Sequence, residues 1–303
     1  MVRLADDMHT IISDPVCVAN GIDTAKGTGY EEHPFFEASS IRRIGDWYYF
    51  VYSSLQGHEL CYGMARTPEG PFTYQGVIVS NGDLGYQGNE LAVNYTGNNH
   101  GRLVEIDGEV YIFWYRQTHG TGFSRQGCAD RVQIAEDGTI PQTEITSCGL
   151  NGGPLPAKNT YLSYIACHLT EKDRSAVGHV VEPAPGEMFP KLPADMPYIT
   201  EEEDTDYEKG FKPYITNLRE GAVAGFKYFA FDGDEKEITL ELRGTGKVQV
   251  LLDSPDGEEV SSMTVGSAGW EEKSEKLKKT TGVHSVYVKV TEGTVDFAAI
   301  TIV

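Results

Sequence analysis

The stretch His33-Pro34-Phe35-Phe36-Glu37-Ala38-Ser39-Ser40-Ile41-Arg42-Arg43-Ile44-Gly45-Asp46-Trp47-Tyr48-Tyr49-Phe50-Val51-Tyr52-Ser53 decides how this chain is read. Two runs rich in aromatic and β-branched residues flank Gly45-Asp46, which is the pattern of a β-hairpin closed by a short turn. One carboxylic acid, Glu37, follows two phenylalanines and precedes small residues. A strand here seats that carboxyl at the edge of an apolar cleft, where desolvation favours the protonated form that a general acid needs.

The hairpin pattern continues outward. Arg102 to Ile106 and Glu109 to Trp114 flank Asp107-Gly108, a second two-residue turn signal. Arg131 to Ala135 and Thr143 to Thr146 flank a weaker third case at Asp137-Gly138. Such hairpins recur roughly every 50 to 60 residues, near the spacing of propeller blades. Residues 1–150 therefore hold about three blades, fewer than the roughly 4 to 8 of a closed ring.

Residues 151–196 are rich in Pro, Gly and Ala, as in Gly152-Gly153-Pro154-Leu155-Pro156 and Val181-Glu182-Pro183-Ala184-Pro185-Gly186, and read as a linker packing on the propeller. From 197 to 303 short strands are expected at Ala224–Phe231, Glu237–Leu242, Lys247–Leu252, Ser261–Val265, Ser285–Val290 and Phe297–Val303. Their even spacing argues for a β-sandwich of the jelly-roll kind. The acidic run Glu201-Glu202-Glu203-Asp204 reads as a solvated loop, with calcium as the functional alternative. The fold class is all-β, and no helix of normal length is expected.

Composition bounds the function. The 303 residues carry 25 Lys and Arg against 45 Asp and Glu, a formal net charge of −20. That balance argues against nucleic acid and anionic membranes, which demand cationic surfaces, and leaves neutral partners such as sugars. The first ten residues lack the apolar core of a signal peptide, so a cytoplasmic chain is expected as written, and no run is long enough to span a membrane. Cys17, Cys61, Cys128, Cys148 and Cys167 lack metal-type spacing, and their odd number argues for reduced, mostly buried thiols.

Four ordered stretches resemble glycoside hydrolase family 43. They are Phe36-Glu37-Ala38-Ser39-Ser40 with its hairpin, Asn98-Asn99-His100-Gly101, Tyr111-Ile112-Phe113-Trp114-Tyr115-Arg116 and Phe123-Ser124-Arg125-Gln126. The resemblance implies part of a five-bladed propeller that hydrolyses arabinoxylan, xylan or arabinan with inversion, as an arabinofuranosidase or xylosidase. It implies Glu37 as general acid, Arg125 in the sugar subsite, and His100 at the propeller axis, where some members bind a cation. His33 and Phe36 are candidates to line the pocket. No cofactor is required, but calcium at the axis or in the sandwich is a candidate.

Two departures from the family stand out. Trp114-Tyr115-Arg116 replaces the Tyr-His-Arg of many relatives. More importantly, the family places its catalytic base Asp, and a second Asp that tunes the acid, on blades that precede the acid. The 36 residues before Glu37 offer no match. Asp14-Pro15 lies too close to Glu37 to be the base, and Asp6, Asp7 and Asp23 are no better placed. Inversion needs two carboxyl groups roughly 6.5–9.5 Å apart. The expectation is thus an N-terminally incomplete hydrolase, inactive alone, whose base comes from a complementary propeller fragment.

The C-terminal unit resembles carbohydrate-binding module family 6 through Pro197-Tyr198-Ile199, Gly225-Phe226-Lys227-Tyr228-Phe229, Trp270 and Gly282-Val283-His284-Ser285-Val286-Tyr287. Trp270 is a candidate for stacking on a sugar ring, with a core or strand-edge role as its alternative. Thr294-Val295-Asp296-Phe297 lacks the loop Asn expected of a strong binder. A noncatalytic carbohydrate-binding protein is accordingly the alternative function.

Overall fold

The structure is a computed structural model that describes residues 1–173, 194–202 and 212–303. Val181 to Gly186 of the expected linker, and Glu203 and Asp204 of the acidic run, lie outside the described residues. The chain divides into two compact units, the first made of 1–81, 98–115 and 127–144, the second of 82–97, 116–126 and 145–303. The architecture is all-β with open sheets, and among the described residues the only helical segments are three-residue 3-10 turns. No helix among them is long and apolar enough to cross a membrane.

The first unit is built on an antiparallel meander, β1 (Phe35–Ile44), β2 (Trp47–Ser54), β3 (Glu59–Ala65) and β4 (Thr73–Ser80), in that spatial order. β3 is buried along its whole length and β2 is buried from Tyr49 to Ser54. Their tyrosines carry hydroxyls into this interior, and a buried hydroxyl needs a partner. Tyr52 donates to the carbonyl of His33 at 2.7 Å, Tyr49 to that of Gly138 at 2.7 Å, and Tyr62 to that of Ile140 at 3.1 Å.

Those last two contacts explain why the expected third hairpin does not form. Ala135 to Thr139 make a tight turn, but beyond it the backbone runs without strand pairing, its polar groups satisfied by Tyr49 and Tyr62. The second expected hairpin does form. β5 (Arg102–Ile106) pairs with β6 (Glu109–Thr118), and β7 (Ser124–Arg131) completes a three-stranded sheet. Its turn residues Asp107 and Gly108 have φ of 52° and 81°, the left-handed pair that Asp-Gly tolerates best.

The second unit holds one nine-stranded sheet: β8 (Leu155–Pro156), β9 (Asn159–Leu162), β10 (His168–Thr170), β11 (Tyr198–Thr200), β12 (Tyr214–Arg219), β13 (Val223–Phe231), β14 (Glu237–Leu252), β15 (Glu258–Lys276) and β16 (Gly282–Ile302). The five short strands expected after residue 231 are instead parts of three long ones. β14 pairs with β16 from Ile238–Ile302 to Leu252–Val286. A Cβ on Gly246 would lie 2.1 Å from the Glu292 carbonyl oxygen, and one on Gly293 would lie 2.0 Å from that of Thr245. These glycines allow a close backbone approach that keeps the strands continuous.

The segment read as a linker is corrected in its described part. β8 and β10 pair with β13, and β9 pairs with β16, so residues 155–170 are strands of the sandwich unit. Phe226, Phe229, Phe297, Leu240 and Val288 centre its core. Of the five free cysteines, Cys61 and Cys167 are buried, Cys128 and Cys148 half-buried and Cys17 exposed, so fewer are buried than expected.

Candidate active site

Glu37 sits between two irregularities in the β1–β2 ladder. Phe35 faces Ser54, Glu37 faces Ser53 and Ser40 faces Val51, so β1 carries an extra residue on each side of the acid. Ala38 takes a left-handed φ of 59°, which costs an L-residue about 1–2 kcal/mol. A bulge re-aims side chains that strict alternation would bury. Phe35 enters the aromatic core against Phe50 and Tyr52, whereas Phe36 is exposed and Glu37 half-buried.

Two residues from the loop before β5 reach the acid. His100 Nε2 shares a 2.8 Å hydrogen bond with Glu37 Oε1, and Asn98 Nδ2 donates to the same oxygen at 3.3 Å. The His100 ring packs on Tyr115, with centroids 5.4 Å apart. Asn99, fully buried between them in sequence, pins this loop: its N–H donates to the Gly57 carbonyl, its Nδ2 to that of His58, and its Oδ1 accepts from the Tyr115 N–H. The next residue must be glycine, because a Cβ on Gly101 would lie 1.8 Å from the Phe113 carbonyl oxygen.

The Glu37 side chain is 36% exposed. The apolar enclosure expected to desolvate it is therefore not built by its neighbours in this unit. What the site offers is an accessible carboxyl oxygen held by a histidine and an amide, able to deliver or receive a proton at a ligand oxygen.

His33 is placed differently from expectation. Its Nδ1 lies 2.5 Å from Glu59 Oε1, and its ring stacks on Tyr74. Glu59 is only 4% exposed and also accepts from Ser54 Oγ and Cys61 Sγ. The Glu59 hydrogen bond holds His33 above its ordinary pKa. Burial pushes Glu59 up, but the hydrogen bonds from His33 and Ser54 with the charge of His33 outweigh it, so the carboxyl titrates below its usual range. Burial pushes the Cys61 thiol up, leaving it neutral.

Other candidates are scattered. Phe36 is solvent-exposed on β1, while Arg125 lies exposed on β7 among residues of the second unit. Asp130, farther along β7, is buried and accepts the Trp114 indole N–H at 2.8 Å. His58 is held below its ordinary pKa by burial, and His119 pairs with Glu201 at 2.6 Å. Trp270, on β15, packs edge-on against Tyr214 with centroids 5.1 Å apart, and the Arg243 guanidinium lies over its ring.

Calcium prefers six to eight oxygen ligands. His100 offers nitrogen, and it contacts one oxygen of the Glu37 carboxylate. The acidic group Asp232, Asp234 and Glu235 spends its charge within the chain, since Asp234 pairs with Lys158 at 2.6 Å and both Glu235 oxygens accept backbone N–H groups.

Residues 198–303 match the model of the carbohydrate-binding module family 6. The chain is also 42% identical over 289 residues to a xylosidase/arabinosidase of Thermoclostridium stercorarium, covering 94% of this chain and 59% of that protein. The chain carries a family 6 module, and nearly all of it is similar to a xylosidase/arabinosidase. A xylosidase/arabinosidase of Bacteroides ovatus is 36% identical over 144 residues, 46% of this chain and 41% of the Bacteroides protein. A solved family 43 arabinoxylan arabinofuranohydrolase from Bacillus subtilis aligns with 99% of the chain and 58% of its own, at a TM-score of 0.47 and 20% identity. The chain thus spans somewhat more than half the length of the curated protein it matches over nearly all of its residues.

Sequence reasoning identified Glu37 and His100 separately but missed that they touch, and it gave no role to Asn98, Asn99 or Glu59. The Asn-Asn-His-Gly run was the available signal for the first two, because Asn side chains commonly cap loops by bonding nearby backbone. Glu59 gave no signal, since its burial follows from β3 being central in its sheet.

Proposed function

We propose that this chain carries the acid half of an inverting glycosidase acting on arabinose- or xylose-containing plant polysaccharides such as arabinoxylan, xylan and arabinan. The observation that carries the reading is the partly accessible Glu37 carboxyl with His100 Nε2 at 2.8 Å and Asn98 at 3.3 Å on the same oxygen. In this role Glu37 protonates the leaving glycosidic oxygen, and His100 and Asn98 orient the carboxyl. The names of the relatives support the pentose substrates. Arg125 is proposed to contact the sugar in the assembled site.

The base carboxylate, in this reading, is supplied by a propeller segment other than these residues, because the contacts of Glu37 Oε1 are to nitrogen groups and the family carries its base on a preceding blade. Hydrolysis of xylo-oligosaccharides and arabinofuranosides by the 303-residue chain tests both parts. The expected result is no turnover by the chain alone and turnover on mixing with blades that carry the base Asp, falling about 10²- to 10⁴-fold in Glu37→Gln. Turnover by the chain alone that vanishes in Glu37→Gln would keep the acid and remove the external base. Turnover indifferent to Glu37→Gln would remove the acid.

The family 6 match favours a second contribution, attachment to the polysaccharide through the sandwich. Retention on insoluble xylan without hydrolysis, by wild type and Glu37→Gln alike, is the outcome that would make binding the whole function of these residues.

A further inference from the structure

The aromatic pair of the sandwich already has an occupant. Arg243, on β14, places its guanidinium carbon 4.7 Å from the Tyr214 ring centroid and 4.5 Å from that of Trp270. Both distances fall within the range of cation–π contact. Each end of the guanidinium is also hydrogen-bonded: Nε donates to Asp296 Oδ2 at 2.7 Å, Nη1 to Glu202 Oε1 at 2.6 Å and Nη2 to the Tyr214 hydroxyl at 2.9 Å. The Trp270 indole N–H donates to the same Glu202 oxygen at 3.2 Å.

This arrangement is anchored from behind. Asp296 Oδ1 accepts from Thr216 Oγ1 at 2.7 Å and from the Asn217 N–H at 3.2 Å, leaving Oδ2 for Arg243. A carboxylate so held cannot turn away to release its partner. Charge-assisted bonds of this kind are about twice as strong as neutral ones.

The consequence concerns ligand choice. A sugar ring that stacks on an aromatic face needs that face free, at a contact distance of about 3.5–4.0 Å between carbons. Tyr214 is only 8% exposed, and the face of Trp270 is covered by a cation. The two rings touch edge to face at 5.1 Å, which leaves no gap between them for a pyranose.

We propose that Arg243 is the specificity-determining residue of the sandwich: held by Asp296 and Glu202, it fills the Trp270 face and closes that face to neutral sugar rings. Loss of Arg243 opens the face. The inference rests on the reading that the ligands of this chain are pentose polysaccharides, and it makes any binding of xylan by the wild-type sandwich independent of Trp270.

The test is titration of the whole chain with xylohexaose, arabinoxylo-oligosaccharide and cellohexaose, followed by calorimetry and tryptophan fluorescence, in wild type, Trp270→Ala, Arg243→Ala and the double variant. Expected is wild-type affinity unchanged by Trp270→Ala, an affinity at least tenfold higher for one of these sugars in Arg243→Ala, and loss of that gain in the double variant. Wild-type binding abolished by Trp270→Ala would overturn the proposal, as would a folded Arg243→Ala protein that gains none of the three. Should Arg243→Ala fail to fold, the isosteric Asp296→Asn, which weakens the tether, replaces it with the same expected and overturning outcomes. Pentoside hydrolysis dependent on Glu37 is read in a separate assay, so a failure here leaves the acid assignment standing and a failure there leaves this gain of affinity interpretable.

Discussion

Glu37 and Trp270 are both side chains that sequence alone marks for contact with sugar, and the molecule treats them in opposite ways. Glu37 stands on a doubly bulged edge with a third of its side chain exposed, held by two nitrogen groups on one oxygen. Trp270 lies on a long strand, where the pairing with β14 slips between Ser267 and Glu271, with its face under Arg243. A chemically suitable residue becomes a site only when its tertiary neighbours leave it accessible. The neighbours that decide this come from 61 and 63 residues away for Glu37, and from 68 away for the Glu202 bond to Trp270.

The two units have separate cores, and that separation is open to direct attack. The largest effect expected is in the sandwich core: Phe226→Ala should destabilise by about 3–5 kcal/mol, as buried aromatic truncations do. Amide exchange should then accelerate in peptides from 212–303 and change little in those from 35–80. Equal acceleration in both would show that the two units do not respond separately.

Next is the buried His33–Glu59 pair. Glu59→Ala removes a charged acceptor of three hydrogen bonds and should cost about 2–3 kcal/mol in urea unfolding. Its pH signature follows from the two shifts. Glu59, depressed from 4.5, stabilises above that value and loses its contribution as pH falls through the lower folded value; His33, raised from 6.5, stabilises below that value and loses its contribution as pH rises through the higher folded one. Stability from this pair is therefore greatest between pH 4.5 and 6.5. The Glu59→Ala protein should lack that maximum, and an unchanged profile would assign the pair no charge.

The smallest effect is at the bulge. Ala38→Gly removes the left-handed penalty and should stabilise by up to about 1 kcal/mol, offset in part by the greater entropy of a glycine when unfolded. A loss of stability instead would mean that the Ala38 methyl packs productively and that the bulge is not strained.

Legibility in the sequence tracked how local each cause was. Asp107-Gly108 predicted its hairpin because the turn conformation depends on those two residues alone. The strands near Lys247 and Phe297 were correctly placed but wrongly separated, since Gly246 and Gly293 look like turn residues and serve instead as the point where β14 and β16 come close. The Pro- and Gly-rich stretch after residue 150 looked like a linker because short strands such as Leu155–Pro156 leave no periodic pattern; their pairing with β13 is wholly non-local.

What the sequence by itself determined is the all-β class, the turns that close its hairpins, and the chemical identity of Glu37, His100 and Trp270. These depend on backbone preference, alternation of apolar residues and side-chain chemistry, all of which are carried within a few residues. What only the tertiary structure decided is which of these groups meet: that His100 and Asn98 grip the acid, that His33 belongs to Glu59, and that Arg243 lies on Trp270. Hydrogen bonds and cation–π contacts act over a few ångströms, so their partners are set by how distant strands pack and not by proximity in the chain.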